Sequence, residues 1–166
     1  TTVNLNPTAE ELCDITLITA KQVQQFNVTP RIAMLSYSNF GSSPTAEAIL
    51  VRDAVQMVKK RAPQLVVDGE IQASLAFNAE IIRDNFPFSE LVDGGVNTLI
   101  FPNLSAGNIA YNLLMEVAAF DTIGPVLMGL NKPVHILQLG STVRQIVNMV
   151  AVAVVDAQWK CQRTLL

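Results

Sequence analysis

Short apolar runs alternate with longer amphipathic stretches along this chain, and that alternation constrains its fold more than any other feature. "RIAMLSYS" (31–38) lies between Pro30 and a Gly/Ser-rich turn and reads as a strand. "QLVVD" (64–68), "VNTLIF" (96–101) and "PVHIL" (133–137) have the same character. Helices are expected over 8–26, about 44–60, 71–85, 107–120 and 142–158. Strands separated by helices of this length form βαβ units, since a parallel pair needs a crossover long enough to hold one. The expectation is one α/β domain with a mostly parallel sheet, without internal repeats or linkers.

Several helix ends are written locally. Thr8 with Glu11 three residues on has the capping-box pattern, and Leu12, Ile15, Ile18 and Val23 give that helix a buried face. Ser43 reads as the next N-cap, with Pro44 at the first helical position and Glu47 in the first turn; Lys59, Lys60 and Arg61 close the last turn. In the final helix, apolar residues from Val143 to Val155 spread over most of the circumference, interrupted by Arg144, Gln145 and Asn148. Such a helix is expected to be buried on more than one side, either under the sheet and covered by its neighbours or, the reading preferred here, against its own sheet and a second subunit.

Composition agrees. Half of the 166 residues are hydrophobic and only 15% are charged, so part of the surface is expected to be covered by another domain or subunit. A net charge of −3 leaves no basic stripe for phosphates, which argues against nucleic acid. Cys13 and Cys161 lie near opposite ends without metal-ligand spacing and read as free thiols. The start, "TTVNLNPTAEE", has neither a basic segment nor an apolar run, and "IVNMVAVAVVDAQ" is too short to span a membrane. A soluble, cytoplasmic protein is expected.

In open parallel sheets ligands bind beyond the carboxyl ends of the strands. Four segments should meet there: "SYSNFGSS" (36–43), "DGEIQ" (68–72), "FPNLSAGN" (101–108) and "QLGST" (138–142). Their Ser, Asn and Gly residues lead into helix N-termini, whose unpaired N–H groups suit phosphate or carboxylate, although caps and turns use the same residues. Catalytic groups are scarce. His135 is the sole histidine and reads as a packed, hydrogen-bonded core residue; Asp68 and Glu70 form either a carboxylate pair or an Asp-Gly turn. Ser36 and Ser38 lack a nucleophile-elbow context, and no GxGxxG, P-loop or metal cluster occurs.

These same loops carry a resemblance. "RIAMLSYSNFGS", "VVDGEIQASLAFN", "LIFPNLSAGNIAYNL" and "IGPVLMGLNKPVHILQLG", in that order, resemble the second domain of the phosphate acetyltransferase family over nearly all of residues 5–158. The resemblance implies a three-layer α/β/α fold of the isocitrate/isopropylmalate dehydrogenase kind, with residues 1–158 as that domain and 159–166 as a tail. In active members the last motif resembles "KPVNDLSRG", whose Ser and Arg bind phosphate and stabilise the transition state. An acidic residue in the following helix helps deprotonate the coenzyme A thiol. Here those positions hold Gln138, Leu139 and Gln145, so the resemblance implies a scaffold without its catalytic groups.

"LSYSNFGS" and "LQLGSTVRQIVNMVAVAVVDAQ" look most like the C-terminal region of multidomain NADP-dependent malic enzymes. That resemblance implies a regulatory domain that binds acetyl-CoA or a related acyl-CoA and associates as a homodimer or higher homo-oligomer. It implies as partners the chain's own N-terminal malic enzyme domains, which oxidatively decarboxylate malate to pyruvate using NADP and Mg or Mn. The expected ligand-binding residues are Ser36, Ser38, Asn39, Asn103, Asn108, Gln138 and Gly140. An active phosphate acyltransferase and a purely structural assembly module are the alternatives.

Overall fold

The structure, a computed structural model, describes residues 3–118 and 122–164. Three parallel strands, β1 (Arg31–Leu35), β2 (Val66–Ile71) and β3 (Thr98–Ile100), form a sheet of order β2-β1-β3. Around it lie α1 (Ala9–Gln25), α2 (Ala46–Arg61), α3 (Ala73–Ala76), α4 (Ala79–Asn85), α5 (Leu104–Ala118) and α6 (Val143–Thr164). The expected α/β class and parallel sheet are found.

Alternation along β1 divides the interior in two. Ile32 and Met34 face α1 and α2 and pack with Leu12, Val51, Val55 and Val67. Ala33 and Leu35 face the other way, toward Leu75, Ile82 and Leu91. Successive strand residues point to opposite faces, so a central strand with helices on both sides needs an unbroken apolar run, as β1 has.

The Thr8 capping box forms, with Glu11 Oε2 accepting from Thr8 N at 2.8 Å and Thr8 Oγ1 accepting from Glu11 N at 3.2 Å. The inward face of α1 is Leu12, Cys13, Thr16 and Ala20, whereas Ile15 and Ile18 are half-buried beside a groove along β3. Thr45 rather than Ser43 caps α2. Ser43 is already engaged: its N–H donates to Ser38 Oγ at 3.0 Å and its carbonyl accepts from Arg52 at 3.3 Å. Cys13 is buried, Cys161 exposed, and both are free.

Several expected boundaries move. The Asp-Gly pair does not turn the chain; β2 continues through it to Ile71. Gly69 takes φ +146° opposite a register shift between Met34 and Leu35, so a glycine that looked like a turn is an irregularity inside a buried strand. A Cβ at Gly69 would stand 2.5 Å from the Met34 carbonyl oxygen. Gly69→Ala is therefore expected to lower stability by about 3 kcal/mol or more, combining overpacking with an unfavourable φ, and urea unfolding would measure it. The helix expected over 71–85 is two: the chain leaves α3 at Phe77, and Asn78 Oδ1 starts α4 by accepting from Ile81 N at 3.1 Å.

The strand expected at 133–137 is absent among the described residues. Its alternation buries the His135 side chain and leaves Val134 and Ile136 more than half exposed, and none of the three strands pairs with it. An apolar run stays a strand only where a neighbour takes up its backbone N–H and C=O groups. Of the helix expected over 107–120, α5 begins earlier, at Leu104, and residues 119 and 120 lie outside the described residues. The helix α6 continues through Thr164, into the segment read as a tail.

Candidate functional site

The loops after β1 and β3 border a cleft of about 590 Å³. Leu35, Ser36 and Tyr37 line it from the end of β1, and Phe101, Pro102 and Asn103 from the end of β3. The first turns of α2 add Glu47 and Leu50, Ala73 enters after β2, and Asn6 with Pro7 comes from the segment before α1. The cleft thus lies at the carboxyl edge of the sheet. Its walls are mainly apolar with a few polar groups, the usual make-up of a small-molecule site.

The loop 36–43 is held from beneath by Glu70, which is fully buried. Its Oε1 accepts from Ser38 Oγ at 2.7 Å, Gly41 N at 2.8 Å and the Arg52 guanidinium at 3.0 Å, while Oε2 accepts from Arg52 Nε at 3.0 Å. Burial acts to raise its pKa, but hydrogen bonds from Arg52, Ser38 and the Gly41 backbone outweigh burial and bring it down to about 2. Glu70 is thus a charged anchor, not an acid or base. Asp68 has separate partners: Lys59 Nζ at 3.0 Å, Gly69 N at 3.0 Å and Glu90 N at 3.0 Å. The two carboxylates serve two networks and do not act as a pair.

Most of the loop N–H groups expected to receive an anion are used within the protein. Gly41 N donates to Glu70, Ser43 N to Ser38, Gln72 N to Asn39 Oδ1 at 2.8 Å and Ala106 N to Asn103 Oδ1 at 2.9 Å. Of the expected binding residues, the structure brings Ser36 and Asn103 to the cleft wall. Ser38 is buried with its hydroxyl on Glu70, and Asn39 joins the β1 and β2 loops through Gln72. Asn108, Gln138 and Gly140 are exposed and do not border the cleft. Asn6 and Glu47 also border it and were missed by sequence reasoning, while Tyr37 and Phe101 border it from the segments expected there, though neither was named as a binding residue. Position directly after a strand could have flagged Tyr37 and Phe101; nothing local marks Glu47 beyond its helix-end role.

The sequence profile described as "Phosphate acetyl/butaryl transferase" matches residues 1–154. An NADP-dependent malic enzyme of Haemophilus influenzae is 48% identical over 95% of this chain and 21% of its own length. A phosphate acetyltransferase of Clostridium acetobutylicum is 42% identical over 94% of this chain and 47% of its own. The crystal structure of a phosphotransacetylase from Streptococcus pyogenes superposes with a TM-score of 0.86 at 38% identity, covering 97% of this chain and 48% of that one.

The chain belongs to the phosphate acetyl/butaryl transferase family.

It spans less than half the length of these relatives. The resemblance drawn from the four loop motifs holds, both for the family and for the two kinds of relative that share it.

Within the family fold, the 138–145 turn carries no charge at the positions read as catalytic. Leu139 is fully exposed, and Gly140 turns the chain at φ +90°. Gln145 has a local job: its Oε1 accepts from Thr142 N at 2.9 Å while its own N–H donates to Thr142 Oγ1 at 3.3 Å, a reciprocal cap on α6. His135 differs from expectation. Its side chain is buried, yet neither ring nitrogen has a hydrogen-bond partner among the described residues, and Nε2 stands 3.9 Å from Asp156 Oδ2. The tertiary fold supplies a carboxylate that nothing near His135 in sequence foretold. Among the described residues no helix is long and apolar enough to cross a membrane, and no cluster of His, Cys, Asp or Glu could hold a metal ion.

Proposed function

We propose that this chain is a non-catalytic regulatory domain that binds acetyl-CoA or a related acyl-CoA and self-associates, as the second domain of a transferase-like region attached to a malic enzyme. The observation that carries this reading is an ordered loop framework around the cleft in a chain whose 138–139 turn, away from the cleft wall, holds Gln138 and a fully exposed Leu139. The bound thioester would meet Ser36, Asn39 and Asn103 from the loops shaped by Ser38, with Asn108, Gln138 and Gly140 toward its outer end. We place the three strands within a larger doubly covered sheet of the isocitrate/isopropylmalate dehydrogenase kind. NADP and Mg or Mn would serve malate decarboxylation in the parent's own domains.

A ligand regulates only by favouring one arrangement over another, so binding without consumption is what a sensor requires. Isothermal titration with acetyl-CoA is expected to show saturable binding, and adding phosphate should release no measurable coenzyme A. Losing a single oxyanion donor already costs about 10²–10³ in rate, and here a charged one is missing. The 42% identity to a phosphate acetyltransferase favours an enzyme as the second reading, and coenzyme A release would decide for it. Absence of binding, with no acetyl-CoA effect on melting, would leave a purely structural module.

A further inference from the structure

Glu47 is the single charged residue among those described as lining the cleft, and its charge is negative. It sits in the first turn of α2, and its Oε2 accepts from Tyr37 Oη at 3.4 Å. A carboxylate there fills the role an anionic ligand would have at a helix N-terminus. Arg52, the cation nearest the 36–43 loop, is committed to Glu70. The remaining walls are mainly apolar, including Leu35, Leu50, Phe101 and Pro102, with Asn6, Ser36 and Asn103 as uncharged polar groups.

From this arrangement we infer that Glu47 is a specificity-determining residue: it turns inorganic phosphate away from the cleft while a neutral, amide-bearing thioester arm is admitted. The inference rests on the cleft being the ligand site proposed above. Tyr37 adds a second constraint. Its hydroxyl is hydrogen-bonded to Thr45 Oγ1 at the α2 N-cap, which holds the ring beside Glu47 at the mouth. An arriving anion therefore meets a fixed carboxylate. A neutral amide N–H, by contrast, meets a ready acceptor.

The test uses inorganic phosphate as its probe, followed by thermal shift and by phosphorus NMR line width, on the wild-type chain and on Glu47→Lys. Glu80→Lys serves as a control, because Glu80 is exposed on α4 and outside the cleft. Glu47→Lys is expected to bind phosphate at least about tenfold more tightly than wild type, since a repulsive charge becomes an attractive one. Glu80→Lys should match wild type. No gain in Glu47→Lys, or an equal gain in Glu80→Lys, would overturn the assignment. Acetyl-CoA titration separates the two proposals: if wild type does not bind it, the sensing reading falls, while the phosphate comparison still decides the role of Glu47.

Discussion

Glu70→Ala is expected to lower folding stability by about 2–4 kcal/mol, mainly because buried donors of the 36–43 loop lose their acceptor, while the partly exposed Arg52 can turn to water. Without the carboxylate, Ser38 Oγ, Gly41 N and the Arg52 guanidinium lose an acceptor at 2.7–3.0 Å. Acid gives an independent check. The Glu70 carboxyl lies at about 2 in the folded chain against an ordinary 4.5, a difference of about 3 kcal/mol at 1.36 kcal/mol per unit. A lowered folded pKa stabilises fully above the unfolded value and less as pH falls toward the folded one. The stability advantage of wild type over Glu70→Gln should therefore be complete above about pH 5 and shrink steadily between pH 4.5 and 2. Chemical denaturation at a series of pH values measures it. An advantage of equal size at pH 3 and pH 7 would mean that the charge of Glu70 is not what holds the loop.

That anchor shows where sequence reasoning ended. Thr8 and Glu11 are three residues apart, so their capping box could be read directly. Arg52 and Glu70 are 18 residues apart on different elements. Nothing in "DGEIQ" reveals that a guanidinium will arrive, so the pair looked like a turn. The short apolar run in "RIAML", bounded by Pro30 and a Gly/Ser-rich turn, could be read as a strand from local residues, and burial of both its faces came only with the fold. "PVHIL" has a similar local character, but whether it pairs depends on a neighbouring backbone that its own residues do not encode. Ser36 and Asn103 were legible in the candidate site, since the ends of parallel strands mark a crevice in any fold of this class. Glu47 was legible only as helix-end chemistry. Its place in the cleft depends on how α2 docks on the sheet.

The same limit applies to the surface of α6. Met149 and Val152 point into the protein, while Val143, Val147, Val150 and Val154 are about half exposed or more. Their spacing of four, three and four residues is that of a helix–helix seam. The apolar residues around the circumference of α6 thus divide into a buried face and an exposed stripe that no described residue covers. If a second copy covers it, as proposed, Val150→Glu places a carboxylate in the seam, twice over when the interface is two-fold symmetric. Burying an unpaired charge on both sides should weaken association by roughly a hundredfold or more. Because Val150 is 57% exposed in the single chain, the substitution should leave monomer melting nearly unchanged. Met149→Glu, on the buried face, should instead unfold the protein. Sedimentation velocity on both variants separates the two faces. A Val150→Glu chain that still sediments as a tight dimer would place self-association elsewhere, leaving the α6 stripe to another domain of the parent protein.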